Sequence, residues 1–261
     1  MINIIVVGVN GKMGQVICRI AEESGSAKVV CGIDVNAVEK NGFPVYPSFD
    51  RVNEECDAII DFSHPSSLEG TLEYARSKKI GAVIATTGLS KEQIEMIHDA
   101  ANDIPVFFSA NMSLGVNLII QLAKKAAAIL SGSFDIEIIE KHHNRKIDAP
   151  SGTALAIADA INEVCSPLNE YVYDRHSTRK KRGKHEIGIH SVRGGTIVGE
   201  HEVIFAGNDE IIEIKHTAAS REIFAVGAVK AAAFISGKKA GTVKITVRSG
   251  RKKAVVTVKV K

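Results

Sequence analysis

No stretch of the 261 residues approaches the roughly 18 consecutive apolar residues that a bilayer-spanning helix requires, so a helical membrane protein is excluded. The four cysteines, Cys18, Cys31, Cys56 and Cys165, stand far apart, with no CxxC pair and no Cys/His ligand spacing. Reduced thiols and no metal centre are expected. The chain also lacks a charged leader with an apolar core and opens directly on an apolar strand, which points to the cytoplasm. There is no internal repeat and no low-complexity linker. Acids are missing from the end of the chain: nine Lys or Arg and no Asp or Glu follow Gly237, leaving 24 bases and 30 acids in the first 237 residues. The formal charge of +3 thus belongs to the tail, and a nucleic-acid footprint over the whole surface is not expected.

What is present suits an ordinary globular chain, because 45% hydrophobic content over this length fills one large domain or two small ones. Residues 2–7, apolar apart from Asn3, read as a parallel strand buried on both faces. A turn of the form G-x-x-G-x-x-G follows, with Gly8, Gly11 and Gly14, and leads into a helix with Met13, Val16, Ile17 and Ile20 on one side. A second strand, 28–33, ends in Asp34, where an acid would bond an adenosine ribose. The competing reading of these residues is a tight strand-to-helix turn with no ligand. Strands at 57–62, 81–85 and 105–108 alternate with helices, and Ser90 with Gln93 forms a capping box for one of them. Such β-α repetition predicts a doubly wound parallel sheet with its ligand mouth at the carboxyl ends of the strands. The turns carrying Thr86, Thr87 and Asn111 lie there, although ordinary turn and cap chemistry accounts for those residue types equally well.

After a long helix over 114–130 the pattern changes to strands at 135–140, 186–192, 197–205 and 210–215, with a hairpin turn at Gly207-Asn208. A helix starting at Gly152 is expected to cover one face of that sheet, and a last helix, 220–234, to return to the first domain. Two domains follow: 1–112 plus 221–261, and 113–220. The basic run 175–184 reads as a loop that is either solvated or in contact with an anionic ligand.

The densest chemistry lies in Glu140-Lys-His-His-Asn-Arg-Lys-Ile-Asp-Ala-Pro-Ser-Gly-Thr-Ala154, a strand end, a cationic loop and a helix start with Ser151 as N-cap. A helix N-terminus beside Arg145 and Lys146 attracts a carboxylate or phosphate. His142 and His143 add groups that exchange protons near neutrality. The plain alternative is a solvated basic loop before a well-capped helix.

Taken with Val7-Gly-Val-Asn-Gly-Lys-Met-Gly14, Thr86-Thr-Gly88, Ser109-Ala-Asn-Met-Ser-Leu-Gly-Val-Asn117 and Val198-Gly-Glu-His201, this block resembles the 4-hydroxy-tetrahydrodipicolinate reductase family over roughly residues 2–237. The resemblance implies a Rossmann-type cofactor domain, a second α/β substrate and oligomerisation domain built on a mixed sheet, a homotetramer, and hydride transfer from NAD(P)H to a cyclic dicarboxylate. By the same match, His142 would be the acid/base residue and Lys146 the proton donor, while His143, Gly152 and Thr153 would hold a substrate carboxylate. Gly8, Val9, Asn10, Gly11, Lys12, Met13, Asp34, Ala85, Thr86, Thr87, Ser109, Ala110, Asn111 and Met112 would line the cofactor. Ala85 stands where the family usually has glycine, and Met112 where it has an aromatic residue. Val35 replaces the basic residue that receives a 2′-phosphate, so NADH is the expected cofactor, with Lys12 the one nearby charge that could admit NADPH. The tail departs furthest, reading as an amphipathic hairpin over 242–247 and 254–260 about Ser249-Gly250. Two other functions compete: a non-catalytic dinucleotide-binding regulator that uses this basic tail, and a reductase of another small dicarboxylate.

Overall fold

The computed structural model describes residues 1–237 in full and, beyond them, the backbone of two strands, 241–249 and 252–260. It divides into two compact units, Met1–Met112 with the chain from Ala225 onward, and Ser113–Phe224.

The first unit runs β1 (Ile2–Val7), α1 (Lys12–Ser24), β2 (Ala27–Ile33), β3 (Val45–Tyr46), β4 (Ala58–Asp61), α2 (Leu68–Lys78), β5 (Gly81–Ile84), α3 (Lys91–Ala100) and β6 (Val106–Phe108). Every neighbouring pair of strands is parallel, in the order β3-β2-β1-β4-β5-β6. The strand order reverses between β1 and β4, the switch point at which sheets of this kind bind ligands. Residues of β4 and β5 are buried throughout, as parallel strands covered on both faces must be. Ile5, Val7, Ile33, Ile59 and Ile84 pack against Leu68 and Leu72 of α2 and Ile97 of α3. The capping box forms as read: the Ser90 side chain accepts from the Gln93 N–H, and Gln93 Oε1 accepts from the Ser90 N–H. The sequence gives no sign of β3, an edge strand of two residues that is too short for any periodicity.

The second unit holds α4 (Leu114–Leu130), β7 (Asp135–His142), α5 (Gly152–Asn162), β8 (Glu170–Val172), β9 (Glu186–Arg193), β10 (Gly199–Ala206) and β11 (Ile211–Ala218). Its sheet is mixed, in the order β11-β10-β7-β9-β8, with β10 antiparallel to both neighbours and β7, β8 and β9 parallel. Two helices cover one face, not α5 alone: Ile119, Ala123 and Ala127 of α4 join Ile157, Ala158 and Ile161 of α5 over Ile136, Ile138, Ile187, Val203 and Phe205.

Strand β7 runs two residues beyond the expected end at Glu140. Glu140 pairs with His201 and Lys141 with Glu200 on β10, while His142 pairs with Arg193 on β9. The extension comes from partners far along the chain, which no local pattern records. The last helix, α6 (Glu222–Ile235), meets the first unit backbone to backbone, for a Cβ on Gly227 would lie 1.7 Å from the Met112 carbonyl oxygen. Beyond it, β12 (Gly241–Ser249) and β13 (Lys252–Val260) pair antiparallel, with Val243 opposite Val258. The turn at Gly250 and the amphipathic character read from the sequence lie outside the described residues.

Candidate active site

At the carboxyl ends of the first sheet the glycine turn is built for close approach. Gly8 has φ +77°, open to glycine at no steric cost, and a Cβ on Gly14 would lie 2.2 Å from the Gly8 carbonyl oxygen. Helix α1 therefore packs directly on the turn that precedes it. Its N-cap, Gly11, offers no side-chain bond to the first N–H groups, whereas the caps of α3, α4 and α5 are serines that do. Unclaimed N–H groups at a helix start suit a pyrophosphate.

Asp34, just past β2, accepts from the Asn10 N–H at 2.9 Å and the Asn36 N–H at 3.0 Å, while Asn10 Nδ2 donates to Asn36 O at 2.6 Å and Val38 O at 3.0 Å. The ribose-side loop and the glycine turn are thus one hydrogen-bonded unit. Such a turn, helix start and acid fit a dinucleotide.

The other residues assigned to the cofactor differ in what they expose. Gly11, Lys12, Thr87 and Ala110 are exposed, and Gly8, Asn10, Met13, Ser109 and Asn111 half-buried. Val9, Ala85, Thr86 and Met112 are buried. Val9 fills the space over Gly32, where a Cβ would meet its Cγ1 at 2.4 Å, so Val9 presents only backbone at the turn.

In the second unit the chemistry gathers on Glu140, a fully buried carboxylate. Its Oε2 lies 2.6 Å from Nδ1 of His142, Arg193 donates to both of its oxygens at 2.7 Å, and the Ser151 N–H donates to Oε1 at 3.0 Å. Burial pushes the Glu140 carboxyl up, but the bonds from Arg193, His142, Ser191 and Ser151 outweigh it and hold the group at about 2. An anion beside Nδ1 keeps a proton on that nitrogen and leaves Nε2 for exchange. Gly199 lies close to the ring: a Cβ there would sit 3.2 Å from that Nε2, near enough that the ring would have to give by a few tenths of an ångström.

Ser151 caps α5, accepting from the Ala154 N–H at 3.2 Å, and its hydroxyl also meets Nε2 of the buried His201 at 3.0 Å. The His201 and His142 rings stand edge to face, 5.2 Å apart. Burial, and then the neighbouring His142, push His201 down to about 4, so it is a neutral ring near pH 7. His143 takes a hydrogen bond with Arg221 at 3.0 Å, and its proton affinity is lowered by burial, then by Arg221 and Arg145. Lys146 donates to Asp148 at 2.7 Å, and Arg193 reaches back to the Asp148 carbonyl at 2.7 Å, tying the cationic loop to β9. Gly152 and Thr153 begin α5 on the same turn.

The structure therefore gathers His142, His143, Lys146 and the α5 start in one region, and adds Glu140, Arg193, His201 and Arg221, to which the sequence assigns no role. One signal for Glu140 was available: two residues apart on a strand, it must share a face with His142. Two arginines of the basic run 175–184 turn inward, while Arg179 is exposed. Arg182 is bonded to Asp135 at 2.8 Å, Glu137 at 3.0 Å and the Ile136 carbonyl at 3.0 Å, and Arg175 pairs with Glu186 at 2.8 Å. Those charges fasten the loop to β7 and β9.

Two family models match the chain, "Dihydrodipicolinate reductase, N-terminus" over residues 2–112 and "Dihydrodipicolinate reductase, C-terminus" over 115–247. A 4-hydroxy-tetrahydrodipicolinate reductase of Caldanaerobacter subterraneus subsp. tengcongensis is 54% identical over 92% of this chain and 95% of its own length. One from Clostridium tetani is 50% identical over 92% and 94%. Among solved structures, a dipicolinate-bound dihydrodipicolinate reductase from Paenisporosarcina sp. TG-14 superposes with a TM-score of 0.75 at 25% identity, covering 90% of this chain and 96% of that one.

Proposed function

The chain belongs to the dihydrodipicolinate reductase family, and we propose that His142 and Lys146 carry the proton chemistry of its reaction. It is an NAD(P)H-dependent oxidoreductase that reduces 4-hydroxy-tetrahydrodipicolinate to tetrahydrodipicolinate, with loss of water, in lysine and diaminopimelate biosynthesis. The observation that carries the residue assignment is the buried Glu140 bonded at once to His142 and to the backbone of Ser151, which links the acid/base ring to the helix start that faces an anion.

The dinucleotide cradle consists of Gly8 to Met13, Asp34, Ala85 to Thr87 and Ser109 to Met112. When bound there, the reduced nicotinamide supplies the hydride. Free N–H groups of α1 hold its pyrophosphate and Asp34 its ribose hydroxyls. The substrate carboxylate rests on the α5 N–H groups at Gly152 and Thr153 and on His143. Reduction of a ring conjugated with an imine builds negative charge on nitrogen or carbon, and Lys146 donates the proton that quenches it. His142, oriented through Nδ1, exchanges protons through Nε2. NADH is the preferred cofactor, since a carboxylate at position 34 repels a 2′-phosphate and Val35 offers no countercharge. The enzyme works in the cytoplasm as a homotetramer. Val192 and Ile211, 44% and 63% exposed on the face of the second sheet opposite α4 and α5, support contact with another copy there.

The test is oxidation of NADH and of NADPH by the purified protein, with substrate made in place from pyruvate and aspartate semialdehyde by the preceding synthase. Faster oxidation of NADH is expected. His142→Ala and Lys146→Ala should each lose turnover while still binding NADH, and full turnover in both variants would refute the catalytic assignment.

A further inference from the structure

Asp61 ends β4, the strand next to β1 at the switch point of the first sheet, and is fully buried. A carboxyl in that position is costly unless donors surround it. Here they come from three separate elements. Oδ1 accepts from the Ser63 N–H at 2.9 Å, the Ser63 hydroxyl at 2.5 Å and the Thr86 hydroxyl at 2.9 Å, and Oδ2 meets the Thr71 hydroxyl at 3.0 Å. Ser63 belongs to the loop after β4, Thr86 to the turn after β5 and Thr71 to α2. The Asp61 backbone carbonyl adds a bond from the Ala85 N–H at 2.9 Å.

The arrangement reaches the glycine turn as well. A Cβ on Gly8 would meet the Phe62 carbonyl oxygen and Ser63 Cβ, each at 3.0 Å, so the loop that Asp61 holds is the surface on which that turn rests. Phe62 N–H also donates to the Val7 carbonyl at 3.2 Å. Thr86 is only 2% exposed, with its hydroxyl spent on Asp61, so that turn has backbone and the Thr87 side chain left to offer a ligand. No ion pair to Asp61 is found among the described residues, and a purely structural acid would more economically be apolar.

We infer that Asp61 is the positioning residue of the dinucleotide cradle, holding the loops after β1, β4 and β5 in one arrangement through Ser63 and Thr86. This rests on the cradle assigned above. Asp61 acts on cofactor affinity through the loops and touches no reacting atom. The requirement is for an acceptor at Oδ1, because a backbone N–H and two hydroxyls converge there. Asparagine keeps that acceptor and can turn its amide toward the Thr71 hydroxyl, whose own proton then goes to the Ser67 carbonyl, 2.9 Å away.

The experiment is fluorescence titration of NADH, with steady-state kinetics beside it. Asp61→Ala and Thr86→Val should each raise the NADH Kd about tenfold or more, the step expected when a buried group loses roughly one hydrogen-bond partner. The KM for NADH should rise with it, while kcat stays within about threefold, since no group that moves a proton is altered. Asp61→Asn, which retains the acceptor, should bind NADH far more tightly than Asp61→Ala, and Thr86→Ser, which restores the hydroxyl, should recover most of the affinity that Thr86→Val loses. The double variant Asp61→Ala/Thr86→Val should be no weaker than Asp61→Ala alone, as two ends of one bond require. Should Asp61→Ala fail to fold, the contrast between Thr86→Val and Thr86→Ser decides. Asp34→Ala is the reference: if it leaves the Kd unchanged, the cradle and this inference fall together. If it weakens NADH while Asp61→Ala and Thr86→Val do not, the role of Asp61 alone is overturned. An Asp61→Asn variant as weak as Asp61→Ala would overturn it too.

Discussion

Glu140 Oε2 lies 2.6 Å from Nδ1 of His142, two residues along the same strand and on the same face of the sheet. Arg193 balances the buried charge from the neighbouring strand, so the carboxylate stays ionised while it orients the ring. The prediction is that Glu140→Gln keeps the fold and the NADH affinity but lowers kcat by about a hundredfold, the lower end for a mis-set general acid or base. Stopped-flow turnover and NADH titration on the same sample check this, and unchanged kcat would remove Glu140 from the proton chemistry.

The same cluster makes stability depend on pH. His201 is held at about 4 against its ordinary 6.5, and Glu140 at about 2 against 4.5. Both folded values are depressed, so in each window the unfolded chain binds the extra proton and folding loses ground as pH falls. The His201 loss runs from about 6.5 down to about 4 and amounts to about 3 kcal/mol at 1.36 kcal/mol per unit. The Glu140 loss follows from about 4.5 down to about 2. Thermal unfolding scanned over the upper window should show Tm falling in the wild type and a flatter profile in His201→Gln.

A planar ring with two carboxylates should compete with substrate for the α5 start. Pyridine-2,6-dicarboxylate is expected to inhibit competitively, and His143→Ala should weaken that inhibition about tenfold, the cost of roughly one charged hydrogen bond. Inhibition that ignores substrate concentration would count against the carboxylate pocket.

In the first unit, Gly14→Ala places a methyl 2.2 Å from the Gly8 carbonyl oxygen, backbone that cannot swing aside. Displacing α1 should destabilise the chain by about 1–3 kcal/mol, as overpacking does, and should also weaken NADH. Urea unfolding gives the first quantity and titration the second. A variant as stable as wild type would mean that the helix start shifts at no cost.

Much of the architecture was legible because it is written locally. The apolar run into Gly8, the Ser90–Gln93 capping box and the Ser151 cap each lie within a few residues, and each forms as read. Strand β8 was not legible, since three edge residues carry no period. The basic run 175–184 reads as an open cationic loop because its partners Asp135, Glu137 and Glu186 lie on β7 and at the start of β9. Charge in a sequence does not say where it is neutralised.

By itself the sequence determined the alternation of elements, the tight glycine turn at β1 and the gathering of His142, His143 and Lys146 ahead of α5. Period, cap chemistry and steric demand act over one or two turns of chain. Only the tertiary structure decided that Glu140 meets Arg193, 53 residues on, that Ser151 meets His201, 50 residues on, and that Thr86 turns inward to Asp61, 25 residues back. Those contacts follow from the register of β7 against β9 and β10, and of β4 against β5. Register is set by the packing of whole sheets against their helices, so it leaves no mark in any short stretch of residues.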